Sequence, residues 1–194
     1  MSGGFENSII EIKEVKYNKV EIRLTDFNDD WSQMFQTEVE FLQTIFCEEI
    51  IKCEHFGSTS VRGMKSKPVI DMMCIVKNIE KVDVFNNQME SFGYDIAGEW
   101  GITGRRLFRK GGDSRTHHIH FYQFDNPEIE RHLIFRDYLR SHPEEVDKYS
   151  RFKEDLANRY KTTREYSPAK KKFVSEMEQK ALCWYSESQT ERGK

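Results

Sequence analysis

The run Val-Ile-Asp-Met-Met-Cys-Ile-Val at residues 69–76 is apolar at every position but one, and the exception is Asp71. Such a run leaves no polar face, which is the pattern of a central strand covered on both sides of a sheet. Asp71 then demands an explanation, because a buried carboxylate without a cation or several donors costs roughly several kcal/mol. A bound cation supplies one explanation. A pair with Lys67 or an arginine supplies another.

The flanking sequence provides the layers that a covered strand needs. Asp29 and Asp30 precede Trp31, Phe35, Val39, Leu42 and Phe46, spaced three or four apart, which predicts an amphipathic helix behind an aspartate N-cap. Residues 50–56 read as a strand that breaks at Gly57-Ser58-Thr59 into a loop running through Gly63 to Pro68. Val82, Phe85, Met89 and Phe92 outline a second helix, which Gly93 can end in a left-handed conformation. Strand signals return at 94–100, 105–110 and 116–124. After Pro127 the pattern is helical, with helices expected at 128–141, 144–161 and 168–186. Two short extended segments are expected within residues 9–24. The fold class is therefore α+β, a short mixed sheet flanked by helices with a C-terminal helical section. One domain is expected over 21–186, with an N-terminal extension at 1–20 and a flexible tail at 187–194.

Charge and composition narrow the partners. The 33 acidic and 30 basic residues of the 194-residue chain leave a net charge of -3, so no global field attracts nucleic acid or anionic membrane. Any phosphate-binding surface must be local, and nucleic acid is not the expected partner, because the basic residues lack interleaved aromatics. No apolar run is long enough to span a membrane and no secretory pattern opens the chain, so the cytoplasm is the expected location. Cys47, Cys53, Cys74 and Cys183 show no CxxC or zinc-knuckle spacing and read as reduced thiols.

Several groups could carry chemistry. Gly57-Ser58-Thr59 offers close backbone approach and hydroxyl donors to a phosphate, and a strand-borne Asp71 can hold the magnesium that bridges phosphates. Gly-Ser-Thr is also an ordinary turn. His118 and His120 share one face of an extended segment, with His117, Ile119 and Phe121 on the other. If that segment lies beside the Asp71 strand, Asp71, His118 and His120 form a ligand set for a transition metal, or one histidine acts as a general base. Alternatively they only hydrogen-bond Glu54 or Asp71 and organise the sheet. His132, Arg136 and Arg140 form a helical stripe suited either to clamping phosphates or to salt bridges with Asp137 or Glu144. Arg105, Arg106 and Arg109 read as a solvated strand, and Lys170-Lys171-Lys172 as the cationic start of the last helix.

The segment Glu54-His55-Phe56-Gly57-Ser58-Thr59-Ser60-Val61, followed by Lys67-Pro68-Val69-Ile70-Asp71, closely resembles the pattern of the GrpB family. The resemblance resumes at His118-Ile119-His120, at residues 135–143 and at Tyr166 with Lys170, and covers about residues 22–184. GrpB proteins are similar to the nucleotidyltransferase superfamily, so a minimal nucleotidyltransferase-like fold is implied. Gly57, Ser58 and the adjoining Thr59 become phosphate binders and Asp71 the first metal ligand. With Mg2+ or Mn2+, and with Asp71, His118 and His120 as catalytic and metal-binding residues, the implied reaction moves a nucleotidyl group from a nucleoside triphosphate to a small-molecule or protein hydroxyl. Arg136, Arg140 and Lys170 would neutralise phosphate charge. The chain departs from the pattern at Met73, where the superfamily carries a second carboxylate, and at Arg62, where the family often has proline. The first departure favours a non-catalytic module for a nucleotide or phosphorylated metabolite, and the histidines leave a different metal-dependent phosphotransferase or hydrolase as a further alternative. Fusion of GrpB domains to dephospho-coenzyme A kinase also implies a coenzyme A related ligand.

Overall fold

In the computed structural model, residues 22–192 are described. The expected extension at 1–20, and all but the end of the extended segments within 9–24, lie outside them. Thr25 pairs with Ser66 in an isolated antiparallel bridge, which ties the start of the described chain to the loop before the central strand.

Five strands form one mixed sheet in the order β1-β2-β5-β4-β3. They are β1 (Ile50–Phe56), β2 (Ile70–Val76), β3 (Tyr94–Gly98), β4 (Arg105–Lys110) and β5 (His117–Gln123). β2 runs antiparallel to β1 and parallel to β5, while β4 is antiparallel to both β3 and β5. The apolar run at 69–76 is therefore a central strand. Ile70, Met72, Cys74 and Val76 point to one face, where they are fully buried with Ile119, Phe121 and Phe108 against Leu42, Ile45 and Phe46 of α1 (Asp30–Phe46). On the other face, Met73 packs with Phe56 and Tyr122. Asp71 has the same parity as Met73, and 32% of its side-chain surface is open because it faces a cleft rather than the core.

The cap of α1 is displaced from the expected aspartates. Asp29 makes no capping bond with its side chain, whereas the Asn28 side-chain oxygen accepts the Asp30 N–H at 2.9 Å. The single helix expected across Val82 to Phe92 is two pieces, a 3-10 segment at Ile79–Phe85 followed by α2 (Asn86–Ser91). Asn78 starts the first piece by accepting the Glu80 N–H. Gly93 adopts the expected left-handed conformation, at φ 82°. The strand from Tyr94 ends at Gly98, short of Trp100, which itself has φ 42°.

The arginines of β4 are not solvated as expected. Arg105 and Arg109 are only 5% and 3% exposed. Arg105 donates to the Glu99 and Trp100 carbonyls, Arg109 pairs with Asp95 and stacks on Trp100, and Arg106 holds the Asp83 carboxylate with two donors. The partners come from three places, Glu99 and Trp100 in the β3–β4 connection, Asp95 on the neighbouring β3 and Asp83 in the 3-10 segment, which spacing on the strand alone does not reveal.

Three helices close the domain: α3 (Pro127–Ser141), α4 (Pro143–Arg159) and α5 (Thr163–Arg192). α5 begins before the expected start at Pro168, which lies inside it. At its start the Thr162 hydroxyl donates to the Glu165 carboxylate at 2.8 Å, and Pro168, the sixth residue of the helix, offers no N–H to the Arg164 carbonyl. The tail expected from residue 187 is helical through Arg192. Ile134, Tyr138 and Leu139 of α3, Val146 and Tyr149 of α4, and Met177 and Ala181 of α5 share a second core with Val61 and Met64. Those last two come from the loop between β1 and β2, so the helical layer is clamped onto that loop. No helix among the described residues is long and apolar enough to cross a membrane.

Because Asn28 provides the capping oxygen, Asn28→Ala is expected to lower stability in urea unfolding by about 1 kcal/mol. Asp29→Ala should change it by no more than a few tenths of that, apart from its weak charge effect at the helix start.

Candidate functional site

The site is built where β1 ends. Gly57 follows the strand at φ 71° and ψ -171°, a conformation essentially reserved for glycine, and an ideal Cβ there would lie 2.6 Å from Asp71 Oδ2. Glycine is thus required twice, by the backbone and by the carboxylate pressed against it. Ser58–Ser60 then form one 3-10 turn, closed by the Ser60 hydroxyl donating to the Gly57 carbonyl at 2.7 Å. Thr59 is 2% exposed, and its hydroxyl donates to the Val69 carbonyl and contacts His55 Nε2 at 3.0 Å. Its role is to hold the loop. Ser58 instead turns its hydroxyl to Lys153 Nζ, 3.1 Å away on α4.

Parallel pairing of β2 with β5 sets Asp71 beside His118 and Met73 beside His120. His118 Nδ1 lies 3.2 Å from Asp71 Oδ1, and His120 Nε2 lies 3.9 Å from the same oxygen. Arg105 approaches His120 Nδ1 at 3.4 Å, so that nitrogen is the acceptor and the proton of the neutral ring sits on Nε2, facing Asp71. Burial pushes His120 down to about 3 and His132 to about 4, keeping both neutral at ordinary pH. Burial opposes ionisation of Asp71, but the His118 hydrogen bond and the electrostatic attraction of its basic neighbours, His118 first and Lys170 among them, outweigh it and hold the carboxyl below its usual value. The expected partner, Lys67, acts on it only through its charge at longer range, since its own ammonium is raised by Asp71 without a direct bond.

In front of Asp71 is a cleft of about 240 Å³. Ser58, Lys67, Lys153, Tyr166 and Lys170 line it, with His118 at the strand side. Lys67 and Lys170 both sit over the Tyr166 ring, at 5.1 and 5.9 Å. Lys153 is 2% exposed; burial and the neighbouring Lys170 push its ammonium down to about 7. Burial and Lys170 likewise bring Lys67 to about 8, with Asp71 opposing, and burial lowers Lys170 against the same opposition. Three lysines converge on one carboxylate, and each is disfavoured as a cation until an anion joins it.

Arg136 and Arg140 lie outside this cleft. Arg136 bonds Glu54 at 2.6 Å, the His55 carbonyl at 3.1 Å and Asp137, and Arg140 donates to the Ser60 carbonyl at 3.1 and 3.0 Å. Their basic stripe ties α3 to the end of β1 and to its loop, with the Asp137 salt bridge that is the alternative to a phosphate clamp. A second cleft of about 200 Å³ opens beside Arg136. Phe56, Phe135, Leu139, Tyr149 and Val174 give it apolar walls, and it shares Ser58, Asp71 and Lys170 with the first.

The donor set does not fit the expected magnesium or manganese site. Among the described residues Asp71 is the only carboxylate lining the lysine cleft, and Met73 on the same face is a fully buried thioether, a poor ligand for a hard cation. Among the described residues no group of three or more His, Cys, Asp or Glu is arranged to hold a metal ion. Arg105 donates to His120 Nδ1, and the proton this leaves on Nε2 takes the lone pair a metal would need. His118 holds Asp71 through Nδ1, and its buried Nε2 meets no hydrogen-bond partner among the described residues.

Sequence reasoning missed Lys153. Tyr149, Lys153 and Leu156 share one helical face, so a lysine at a core-facing position of α4 was the available signal.

Gly57→Ala should be more destabilising than Gly63→Ala in urea unfolding. Gly63 is also left-handed, at φ 78°, but a Cβ there meets nothing within 4 Å, so it carries only the backbone strain of about 1–2 kcal/mol. Equal losses for the two variants would mean that the Gly57–Asp71 approach imposes no constraint of its own.

The family model described as "GrpB protein" matches residues 21–180. The chain is 43% identical over 169 residues to UPF0157 protein YqkA of Bacillus subtilis, covering 87% of this chain and 49% of that protein, so it spans about half of YqkA. It is 32% identical over 166 residues to glutamate-rich protein GrpB of Alkalihalophilus pseudofirmus, covering 82% and 95% of the two. The crystal structure of conserved protein GrpB from Enterococcus faecalis superposes with a TM-score of 0.81 at 42% identity, over 84% of this chain and 99% of that one. The model match over most of the chain, the relatives above 30% identity and the shared fold agree: this chain belongs to the GrpB family.

Proposed function

We propose that this protein binds a phosphorylated small molecule of the nucleotide class, seating the phosphate in the cleft between Ser58 and the lysines of α4 and α5. The convergence of Lys67, Lys153 and Lys170 on a cleft with one carboxylate carries this reading. An anion there would restore the charge of buried ammonium groups, accept a hydroxyl bond from Ser58 and approach the backbone at Gly57. Lysines, rather than a metal, supply the positive charge. The adjoining apolar cleft suits a ring or other apolar portion of the same ligand. Each cleft alone is smaller than the roughly 300–1,000 Å³ of ordinary small-molecule sites, and they meet at Ser58, Asp71 and Lys170. Such a ligand, together with four free thiols, suits the cytoplasm.

A second reading is transfer of a nucleotidyl or phosphoryl group from such a ligand to a small-molecule or protein hydroxyl. It is favoured by the ionised Asp71 and the unpaired His118 Nε2, which could accept a proton from an attacking hydroxyl. No metal-dependent step is assigned, because the donor set does not fit one.

Calorimetry with ATP, GTP, CTP and UTP, with chelator, magnesium or manganese, tests the first reading, and release of pyrophosphate or phosphate from a bound nucleotide tests the second. Binding that persists in chelator and weakens at least about tenfold in Lys153→Met supports the lysine cleft. Binding that requires magnesium or manganese and disappears in Asp71→Ala would overturn it in favour of metal-dependent transfer, and pyrophosphate release would then identify turnover.

The lysines also fix the sign of the pH dependence. Lys153 and Lys67 lose their protons through about pH 7 and 8 in the free protein, so affinity for phosphate should fall as pH rises through that window, with proton uptake on binding. The ligand-free protein should behave oppositely. Between their folded and unfolded values these lysines bind more protons when unfolded, so stability should rise from about pH 7 towards 10. Lys153→Met should flatten that rise in a urea-unfolding series.

A further inference from the structure

Cys53 and Cys74 are directly opposite each other on the antiparallel pair β1–β2, and their sulfurs are 3.1 Å apart without a bond between them. We infer that this cross-strand dithiol is an oxidation site, converted to an intramolecular disulfide by a small hydroperoxide. Directly opposed residues on antiparallel strands have Cα atoms about 4.5 or 5.5 Å apart, both within the spacing of about 4.4–6.8 Å that a disulfide bridges. The sulfurs need to close by only about 1 Å to reach bonding distance.

The surroundings give the two thiols different tasks. Cys53 is half-buried on β1, which is an edge strand, and the register shift between Ile50 and Lys52 leaves local freedom beside it. Cys74 is fully buried on the central strand, where burial and the Cys53 sulfur push its thiol well above the usual range. Cys53 is therefore the sulfur that meets the oxidant, and Cys74 the one that resolves it. The Cys53 thiolate attacks a peroxide oxygen, and the O–O bond breaks. Hydroxide leaves with the proton from Cys53 as water, giving a sulfenic acid. The Cys74 sulfur then attacks Cys53 Sγ, the S–O bond breaks, and the leaving hydroxide takes the Cys74 proton as a second water. Two thiols are oxidised by two electrons and one peroxide is reduced. Cys47 and Cys183 are exposed and have no such neighbour among the described cysteines.

The test is titration of the full chain carrying Cys47→Ser and Cys183→Ser with hydrogen peroxide, read by intact mass and non-reducing peptide mapping. The expected product is a monomer lighter by two hydrogens, linked between the Cys53 and Cys74 peptides and restored by dithiothreitol. Adding Cys74→Ala should abolish the link and leave a Cys53 sulfenic acid that dimedone traps. Cys53→Ser serves if that core variant does not fold, and should leave Cys74 reduced. The inference is overturned if Cys53 proceeds to sulfinic acid with Cys74 still reduced beside it. It is equally overturned if both thiols stay alkylatable at peroxide levels that oxidise Cys47 and Cys183 in the natural sequence.

Discussion

The contact between Asp71 and Gly57 organises this protein. A charged carboxylate on the central strand must leave the apolar face of the sheet, and β-strand alternation sends it to the face opposite Met72 and Cys74. There it is pressed against a position where no side chain fits. The strand, the glycine turn and the carboxylate therefore form one unit. A side chain at Gly57 would collide with the carboxylate, and loss of His118 would leave the carboxylate without its hydrogen-bonded partner.

The helical section has meaning only in relation to that unit. Val61 and Met64, from the loop that follows Gly57, enter the helical core, and Arg136 and Arg140 grip the ends of the same segment from α3. With the loop braced from outside by arginines, the inner surface is left to lysines. The division suits their chemistry. A guanidinium presents a rigid fork that can satisfy a carboxylate and a carbonyl together, while an ammonium is a compact charge whose proton affinity responds strongly to burial. Burial accordingly lowers the proton affinity of the lysines in the cleft.

Much of this was legible from the residues in order. The apolar run marked the central strand, and the Glu-His-Phe-Gly-Ser-Thr segment with Lys-Pro-Val-Ile-Asp marked both the lineage and the site. The alternation of His118 and His120 placed them on the Asp71 face once β5 paired beside β2. Other readings failed for local reasons. Asn28 took the cap expected of Asp29, and Thr162 with Glu165 began a helix that Pro168 had appeared to start. Arginines on β4 looked solvated because their partners come from elsewhere in the fold, the β3–β4 connection, β3 and the 3-10 segment.

The sequence by itself determined the periodicities, the need for a covered central strand, the place of its one carboxylate and the family, because these depend on neighbours along the chain. Only the tertiary structure decided what each charge is for. Arg136 meets Glu54 and Lys153 meets Ser58 across long separations in sequence, and the same helical stripe could equally have faced a ligand. Whether a basic side chain braces the fold or waits for an anion depends on which acceptors lie within about 3 Å of it, and folding alone brings those acceptors there.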